Sequence, residues 1–385
     1  MRVDAGRERV QIARDRKEID EIVDAWRELH ASSHERNPFA NPEIQLSWLD
    51  HAGDRIRPFV IQGWRDGRLD WIAPMHIAPV GPAGVLGRCL MPFAAHTDTW
   101  LIELAPLLSR IDPAEAAQEV VNVALEHRQH WTWKELTLGP AHGWLSTTDD
   151  SRFPSMGASR VLHKDIHVAT VMDLAQTWEA THAGLKRNVR KSLTKAERKA
   201  AETLGDIDFQ VASEGGDVED FARRLVKLNL MRADSAVHVD HTTPFRSERN
   251  VELFVEMVCR TTSSKTADVI ELRDSRGRTI GSQLTLYGYN TTFISHSGFD
   301  PAHWHCSPMT LLIAQAARRA IELGHDQLAL SPGPHVSKSR WSSKLEGYNT
   351  FLVVNGGRTE RVRFLGYWVA SRVQRFIREG RLRRM

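Results

Sequence analysis

The stretch from Thr279 to Trp341 constrains this chain more than any other. Ile280, Leu284 and Leu286 in one segment, and Phe293 and Ile294 in the next, flank the turn-like Gly288-Tyr289-Asn290, a pattern that predicts two antiparallel strands. Asp300-Pro301 opens a loop. Ser307-Pro308 then reads as a helix N-cap followed by the proline that a first helical turn tolerates. Leu311, Leu312, Ala314, Ala316, Ile321 and Leu323 carry the helix, and Gly324 ends it. Asp326 to Leu330 reads as another strand. The predicted unit is strand, strand, helix, strand, with its loops meeting at one end.

A similar order occurs earlier. Pro58 to Gln62 and Leu69 to Ala78 flank the turn Arg65-Asp66-Gly67-Arg68, as Asp268 to Leu272 and Thr279 to Leu286 flank Asp274-Ser275-Arg276-Gly277. The helix expected from Asp112 to Arg128 matches the one from Ser307, and Lys134 to Leu138 before Gly139-Pro140 matches Leu328 to Leu330 before Ser331-Pro332. Two copies of one α/β unit suit 385 residues better than one domain does. The polar loop at Thr147 to Ser151 places the boundary between Asp149 and His163, giving units of 1–160 and 161–360 and a basic terminal helix from 361 to 385. Further helices are expected over 15–31, from Asn41 onward, and over Val218 to Arg232 and Pro244 to Arg260, with a strand at Ile207 to Val211. Gly81 to Arg88 is glycine-rich but reads as a hairpin connection.

Composition excludes several classes. Apolar content of 41% and charged content of 26% describe an ordinary globular chain, and a net charge of +3 gives no reason to expect DNA. Cys89, Cys259 and Cys306 show neither metal-ligand spacing nor a disulfide framework, which fits a reducing, cytoplasmic setting. No signal peptide and no membrane span are expected. His303, His305 and Cys306 lack a further ligand pair, so no metal is expected. The many tryptophans, among them Trp64, Trp71, Trp100, Trp131, Trp133 and Trp144, are expected between sheet and helix.

Two basic helices stand out. From Leu185 to Lys199, Leu185, Val189, Leu193 and Ala196 form a narrow apolar stripe. The remaining positions are largely cationic, and Arg187, Arg190 and Lys191 read either as a solvated face or as a wall for a phosphate-bearing ligand. Near the end, Val362, Leu365, Val369, Val373, Phe376 and Ile377 form an apolar face among arginines. That face is expected to pack on the domain, with contact to a membrane surface or RNA as the other readings.

Pro38-Phe39-Ala40-Asn41-Pro42 with Trp48 ahead of Ala52-Gly53, the Arg187-to-Lys191 helix, Ser297-Gly298-Phe299-Asp300-Pro301, Ser307-Pro308 and Lys338-Ser339-Arg340-Trp341 together resemble the CelD-like branch of the GNAT acyltransferase superfamily. The resemblance covers about Pro38 to Phe351. It implies an α/β fold of two tandem GNAT-like domains, each a mixed, mostly antiparallel sheet flanked by helices. It also implies acetyl-CoA or another acyl-CoA as co-substrate and an amine acceptor, a small molecule or saccharide. The architecture is similar to that of the Fem peptidyltransferases, which take an aminoacyl group from tRNA, so tRNA is the alternative donor. A catalytically inactive GNAT-fold binding protein is the third reading. One departure is clear: GNAT enzymes carry a glycine-containing turn that holds the CoA pyrophosphate at a helix N-terminus. Ala302 to Cys306 contains no glycine.

Acyl transfer to an amine requires proton removal, oxyanion stabilisation and positioning. His296 and Asp300 are the candidate bases, each with a structural reading beside it. Lys338 is the third candidate catalytic group, and with Arg340 it can bind a phosphate or carboxylate. Ser297, Ser307 and Trp341, with Arg187, Arg190 and Lys191, complete the expected binding set.

Overall fold

The computed structural model describes residues 9–53, 56–81, 84–94, 107–138, 160–214, 217–235, 243–332 and 336–382. The first part contains β1 (Arg9–Ala13), α1 (Arg16–Asp20), α2 (Val23–Ser32), α3 (Pro42–Asp50), β2 (Arg57–Pro58), β3 (Val60–Arg65), β4 (Arg68–Ala73), β5 (Met75–Pro79), β6 (Arg88–Pro92), β7 (Leu108–Ser109), α4 (Pro113–Glu126) and β8 (Trp133–Leu138). There follow β9 (Arg160–Asp173), α5 (Trp178–Gly184), α6 (Arg187–Leu204), β10 (Asp208–Val211), α7 (Val218–Asp234), α8 (Glu248–Ser263), β11 (Ala267–Arg273), β12 (Thr279–Gly288) and β13 (Thr291–Phe299). The chain continues through α9 (Pro308–Glu322), β14 (Gln327–Pro332), α10 (Val336–Ser339), β15 (Leu345–Val354) and α11 (Arg358–Leu382).

The fold is mixed α/β with mostly antiparallel sheets flanked by helices. One sheet has the order β10-β11-β12-β13-β14-β9-β15-β8-β6-β5-β2, and a smaller one runs β1-β3-β4-β7. Among the described strands only β13–β14 and β6–β8 pair in parallel. Each parallel pair is joined through a helix, α9 or α4, as a parallel crossover requires. The two units repeat one order, β11-β12-β13-β14-β9 and β2-β5-β6-β8-β15. They meet where β9 and β15 pair antiparallel from Leu345↔Thr170 to Val354↔Arg160. β15, late in the sequence, thereby closes the sheet of the first unit.

The expected first hairpin is divided between the two sheets. Pro58 lies in β2 and Val60 in β3; Ala73 lies in β4 and Met75 in β5. Pro74 has no N–H to continue a ladder, so the strand turns there from one sheet into the other. The helix expected over 15–31 is also two, interrupted at Glu21 and Ile22, and the one expected from Pro244 begins at Glu248. Gly205 ends α6 with φ +74°.

The largest apolar cluster joins the two units. Trp26, Phe39 and Trp48 share it with Phe221, Phe254 and Phe293, and Phe39 meets Phe293 edge-on at 5.3 Å. Burying each such ring contributes roughly 2–3 kcal/mol. Asn41 caps α3 by accepting from Glu43 N–H and donates from Nδ2 to Thr266 Oγ1 at 2.6 Å. The Tyr289 N–H donates to Glu35 O at 2.8 Å, and a Cβ on Gly288 would lie 2.2 Å from Arg36 O. Glycine is what lets the two segments approach there. Trp71, Trp131 and Trp133 are buried as expected, Trp64 is half-buried, and Trp100 and Trp144 lie outside the described residues.

Candidate active site

The parallel pair β13–β14 runs from Thr291↔Gln327 to Ile294↔Leu330 and stops. Beyond it both strands deform. On β13, Thr285↔Ile294 is followed by Gln283↔Ser297, so Ser295 and His296 together oppose the single residue Leu284. This is a β-bulge, which bends a strand and re-aims its side chains. On β14 the register with β9 slips between Leu330 and Pro332, and Ser331 has φ +32°. The two strands therefore change course at the same level, and α9 begins beyond the end of β13.

His296 is buried, its ring 5.4 Å from Phe254 and 5.5 Å from Phe245, with Nδ1 2.8 Å from Ser295 Oγ. The Ser297 carbonyl accepts from Asn229 Nδ2 at 2.7 Å. A Cβ on Gly298 would lie 2.3 Å from the Asn229 nitrogen, so α7 is seated against β13 at this level. Arg232 of α7 stands over Phe299 at 5.2 Å, and burial lowers its pKa from the ordinary arginine value. Asp300 caps the 3-10 turn Pro301–Cys306 by accepting from Ala302 N–H at 3.0 Å, with His303 Nε2 3.9 Å away.

Ser307 occupies the N-cap position of α9 with Pro308 after it, but it is left-handed (φ 53°, ψ 55°) and its hydroxyl caps nothing. The expected cap is thus a turn: a serine takes the conformation in which glycine is usual. Arg340 reaches the first turn of α9, donating from Nη2 to Thr310 Oγ1 at 3.2 Å. Its Nε is buried with no hydrogen-bond partner among the described residues. Trp341 is buried with Leu311, Leu312 and Leu330 and buttresses this segment. Lys338 donates to Ser331 O at 3.1 Å and to Ser331 Oγ at 2.7 Å, tying α10 to the distorted end of β14.

The same segment touches α6. Lys186, at the N-cap of α6, donates to Ser339 O at 3.0 Å. Like α9, α6 has no side-chain cap and no acidic residue in its first turn. Residues 338–341 thus bring together two helix N-termini whose N-cap side chains make no cap, each the positive end of a helix dipole; in α6 the Val189 N–H donates to Asn188 Oδ1. Cations at such an end cost about 0.3–1 kcal/mol each unless an anion offsets them. Val189, Leu193 and Ala196 of α6 are buried as the apolar stripe predicts. Arg187, Arg190 and Lys191 lie on a face of α6 other than the buried stripe. With Thr194, Lys195 and Arg198 they line an open groove of about 550 Å³ formed by α6 residues.

The structure therefore gathers the sequence candidates into three places. His296 and Ser297 lie at the bulge. Ser307, Lys338, Arg340 and Trp341 lie around the start of α9, and Arg187, Arg190 and Lys191 lie along α6. Ser295, Thr310, Ser331 and Asn229 were missed, whereas Lys186 belongs to the helix expected to face the cleft. Only Ser295, next to His296, stands beside a candidate in the sequence; Thr310, Ser331 and Asn229 carry no such signal. Among the described residues no three His, Cys, Asp or Glu side chains converge as a metal set.

Residues 187–339 match the family model of an acetyltransferase (GNAT) domain. This part of the chain has the GNAT acyltransferase fold. The whole architecture is similar to that of FemX, at a TM-score of 0.58 and 8% identity over 85% of this chain and 95% of the other. It is also similar to a conserved protein of unknown function from Bacteroides thetaiotaomicron, at a TM-score of 0.55 and 11% identity over 90% of this chain and 100% of that one. At such identities the likeness is one of fold. No curated protein matches the sequence.

Proposed function

We propose that the protein is an N-acyltransferase that moves an acetyl or longer acyl group from coenzyme A to an amine on a small molecule or saccharide, with its site in the 187–339 GNAT domain. The finer placement in the CelD-like branch rests on the ordered motifs from Pro38 to Trp341. The observation that supports the reading is the pair of helix N-termini without an N-cap side-chain bond, bridged by residues 338–341, with Arg340 Nε buried beside them and without a hydrogen-bond partner among the described residues. Such a place suits a pyrophosphate, for which Arg340 and the backbone of α9 supply donors without the usual glycine turn.

In this reading the thioester lies in the gap between β13 and β14. The amine loses its proton and attacks the thioester carbonyl. The tetrahedral intermediate collapses with cleavage of the C–S bond, and the thiolate leaves. His296, hydrogen-bonded to Ser295, accepts the proton directly or through water. Lys338 acts by position, holding Ser331 in its left-handed conformation and keeping the strand ends apart. Asp300 holds the turn that leads into α9.

A titration of thermal stability with acetyl-CoA tests the donor, because a ligand bound only to the folded state raises Tm by mass action. A saturable rise that is lost in Arg340→Ala supports the proposal, and no rise at millimolar ligand overturns it. His296→Asn then separates chemistry from binding. Turnover is expected to fall by roughly 10²-fold with the donor-induced shift retained. The basic groove of α6 favours a second reading, aminoacyl transfer from tRNA. Its mark is RNA affinity that falls steeply with salt and with Arg190→Glu/Lys191→Glu.

A further inference from the structure

α11 presents the wrong face to the protein. Phe364 and Tyr367 pack it down: Tyr367 stacks on Trp133 at 4.7 Å, and Phe364 meets the same ring edge-on at 5.7 Å. On a helix advancing 100° per residue, the opposite side carries Val362, Leu365, Val369 and Val373. These are 70%, 57%, 48% and 50% exposed. Trp368, 40% exposed, borders the stripe with the Arg372 guanidinium 4.2 Å above its ring. A helix resting on a domain ordinarily turns its apolar face inward and its charged face to water. Here a second apolar face looks outward.

Charge indicates what covers it. From Arg358 onward there are nine arginines and two glutamates, while the whole chain is only +3, so the residues before Arg358 are net negative. A second copy pairing through this stripe would bring two such arginine-rich helices together. RNA would satisfy the arginines and leave the valines and Leu365 in water. An anionic lipid surface satisfies both, with phosphates for the arginines and the headgroup–acyl boundary for Val362, Leu365, Trp368, Val369 and Val373. We propose that α11 is a peripheral docking helix that lays the protein on an anionic membrane surface. It lies in the interface without spanning it, because no described helix is long and apolar enough to cross a membrane.

The test is flotation of the full chain with vesicles of phosphatidylcholine alone or mixed with phosphatidylglycerol. Binding to the mixed vesicles at low salt, at least about tenfold stronger than to the neutral ones, is expected. Leu365→Asp/Val369→Asp is expected to abolish it, and Arg358→Glu/Arg372→Glu to weaken it. All four positions are exposed, so Tm is expected to stay within about 2 °C of the parent, which separates lost docking from misfolding. Three results overturn the proposal. One is no flotation with mixed vesicles, and another is flotation untouched by Leu365→Asp/Val369→Asp. The third is a stable dimer in sedimentation equilibrium, or an RNA complex, formed through α11 in place of vesicle binding.

Discussion

The two units share one topology and use it differently. In each, an antiparallel hairpin leads through a helix to a strand parallel with its second member, and an antiparallel strand closes the set. In the first unit the parallel contact is two residue pairs, Cys89↔Trp133 and Leu90↔Lys134. It is sealed by Val120, Val121 and Trp131 under α4. Lys134 is 1% exposed beneath it, with Nζ 3.2 Å from Val120 O, and burial pulls its pKa down to about 7. In the second unit four pairs are made before the bulge at Ser295-His296 and the turn at Ser331. Topology thus repeats, and the proposed site rests on local departures: an extra residue in β13, left-handed serines at the start of α9 and within β14, and two helix N-termini whose N-cap side chains make no cap.

The comparison can be broken most severely by separating the units. Because β15 closes the first sheet and the main core takes Trp26, Phe39 and Trp48 from one unit and Phe221, Phe254 and Phe293 from the other, neither 1–159 nor 160–385 is expected to melt cooperatively alone. Calorimetry of the two fragments, apart and mixed, checks this. A sharp transition in either one alone would show that unit to be autonomous. Next in size is Gly298→Ala, whose methyl meets the backbone of Asn229. A loss of about 3 kcal/mol in urea unfolding is expected.

Smaller effects compare the two units directly. Arg340→Ala is expected to weaken acyl-CoA binding by about 2 kcal/mol, roughly 30-fold, with Arg340→Lys between the two because the planar fork is lost. Arg88→Ala, at the start of β6 in the first unit, is expected to leave that affinity unchanged in a calorimetric titration. Smallest is Lys134→Met, expected to stabilise by about 1 kcal/mol at neutral pH. The sign follows from proton linkage. Between pH 7 and the ordinary lysine pKa the unfolded chain binds more protons than the folded one, so this residue makes stability rise with pH. Removing it therefore helps most at and below pH 7, and the gain fades toward pH 10. A pH series of melting curves reads this out.

Much of the second unit was legible in its residues. The turn at Gly288-Tyr289-Asn290, the Ser307-Pro308 start and the glycine after Leu323 are local signals, and local backbone preference decides them. Arg340 and Lys338 were legible as cations in a loop, but their partners were not. Thr310 and Ser331 become partners only when α9 and β14 are folded side by side. The same limit explains the first hairpin. Alternating apolar residues mark strands, and nothing in that alternation reveals that Pro74 hands one strand from one sheet to another.

The sequence by itself determined the hairpin turn at Gly288-Tyr289-Asn290, the start and end of α9, that the α/β order is repeated, and that cations gather at the start of α6 and after β14. These follow from short-range sterics, capping and hydrophobic period. The tertiary structure alone decided that β15 slips between β8 and β9, that His296 is enclosed by Phe245 and Phe254, and that α11 packs through Phe364 and Tyr367 instead of its longer apolar face. In each case the outcome depends on which surface a distant segment offers. For α11 that surface is Trp133, more than two hundred residues away, and hydrophobic period says that a face is apolar without saying what will meet it.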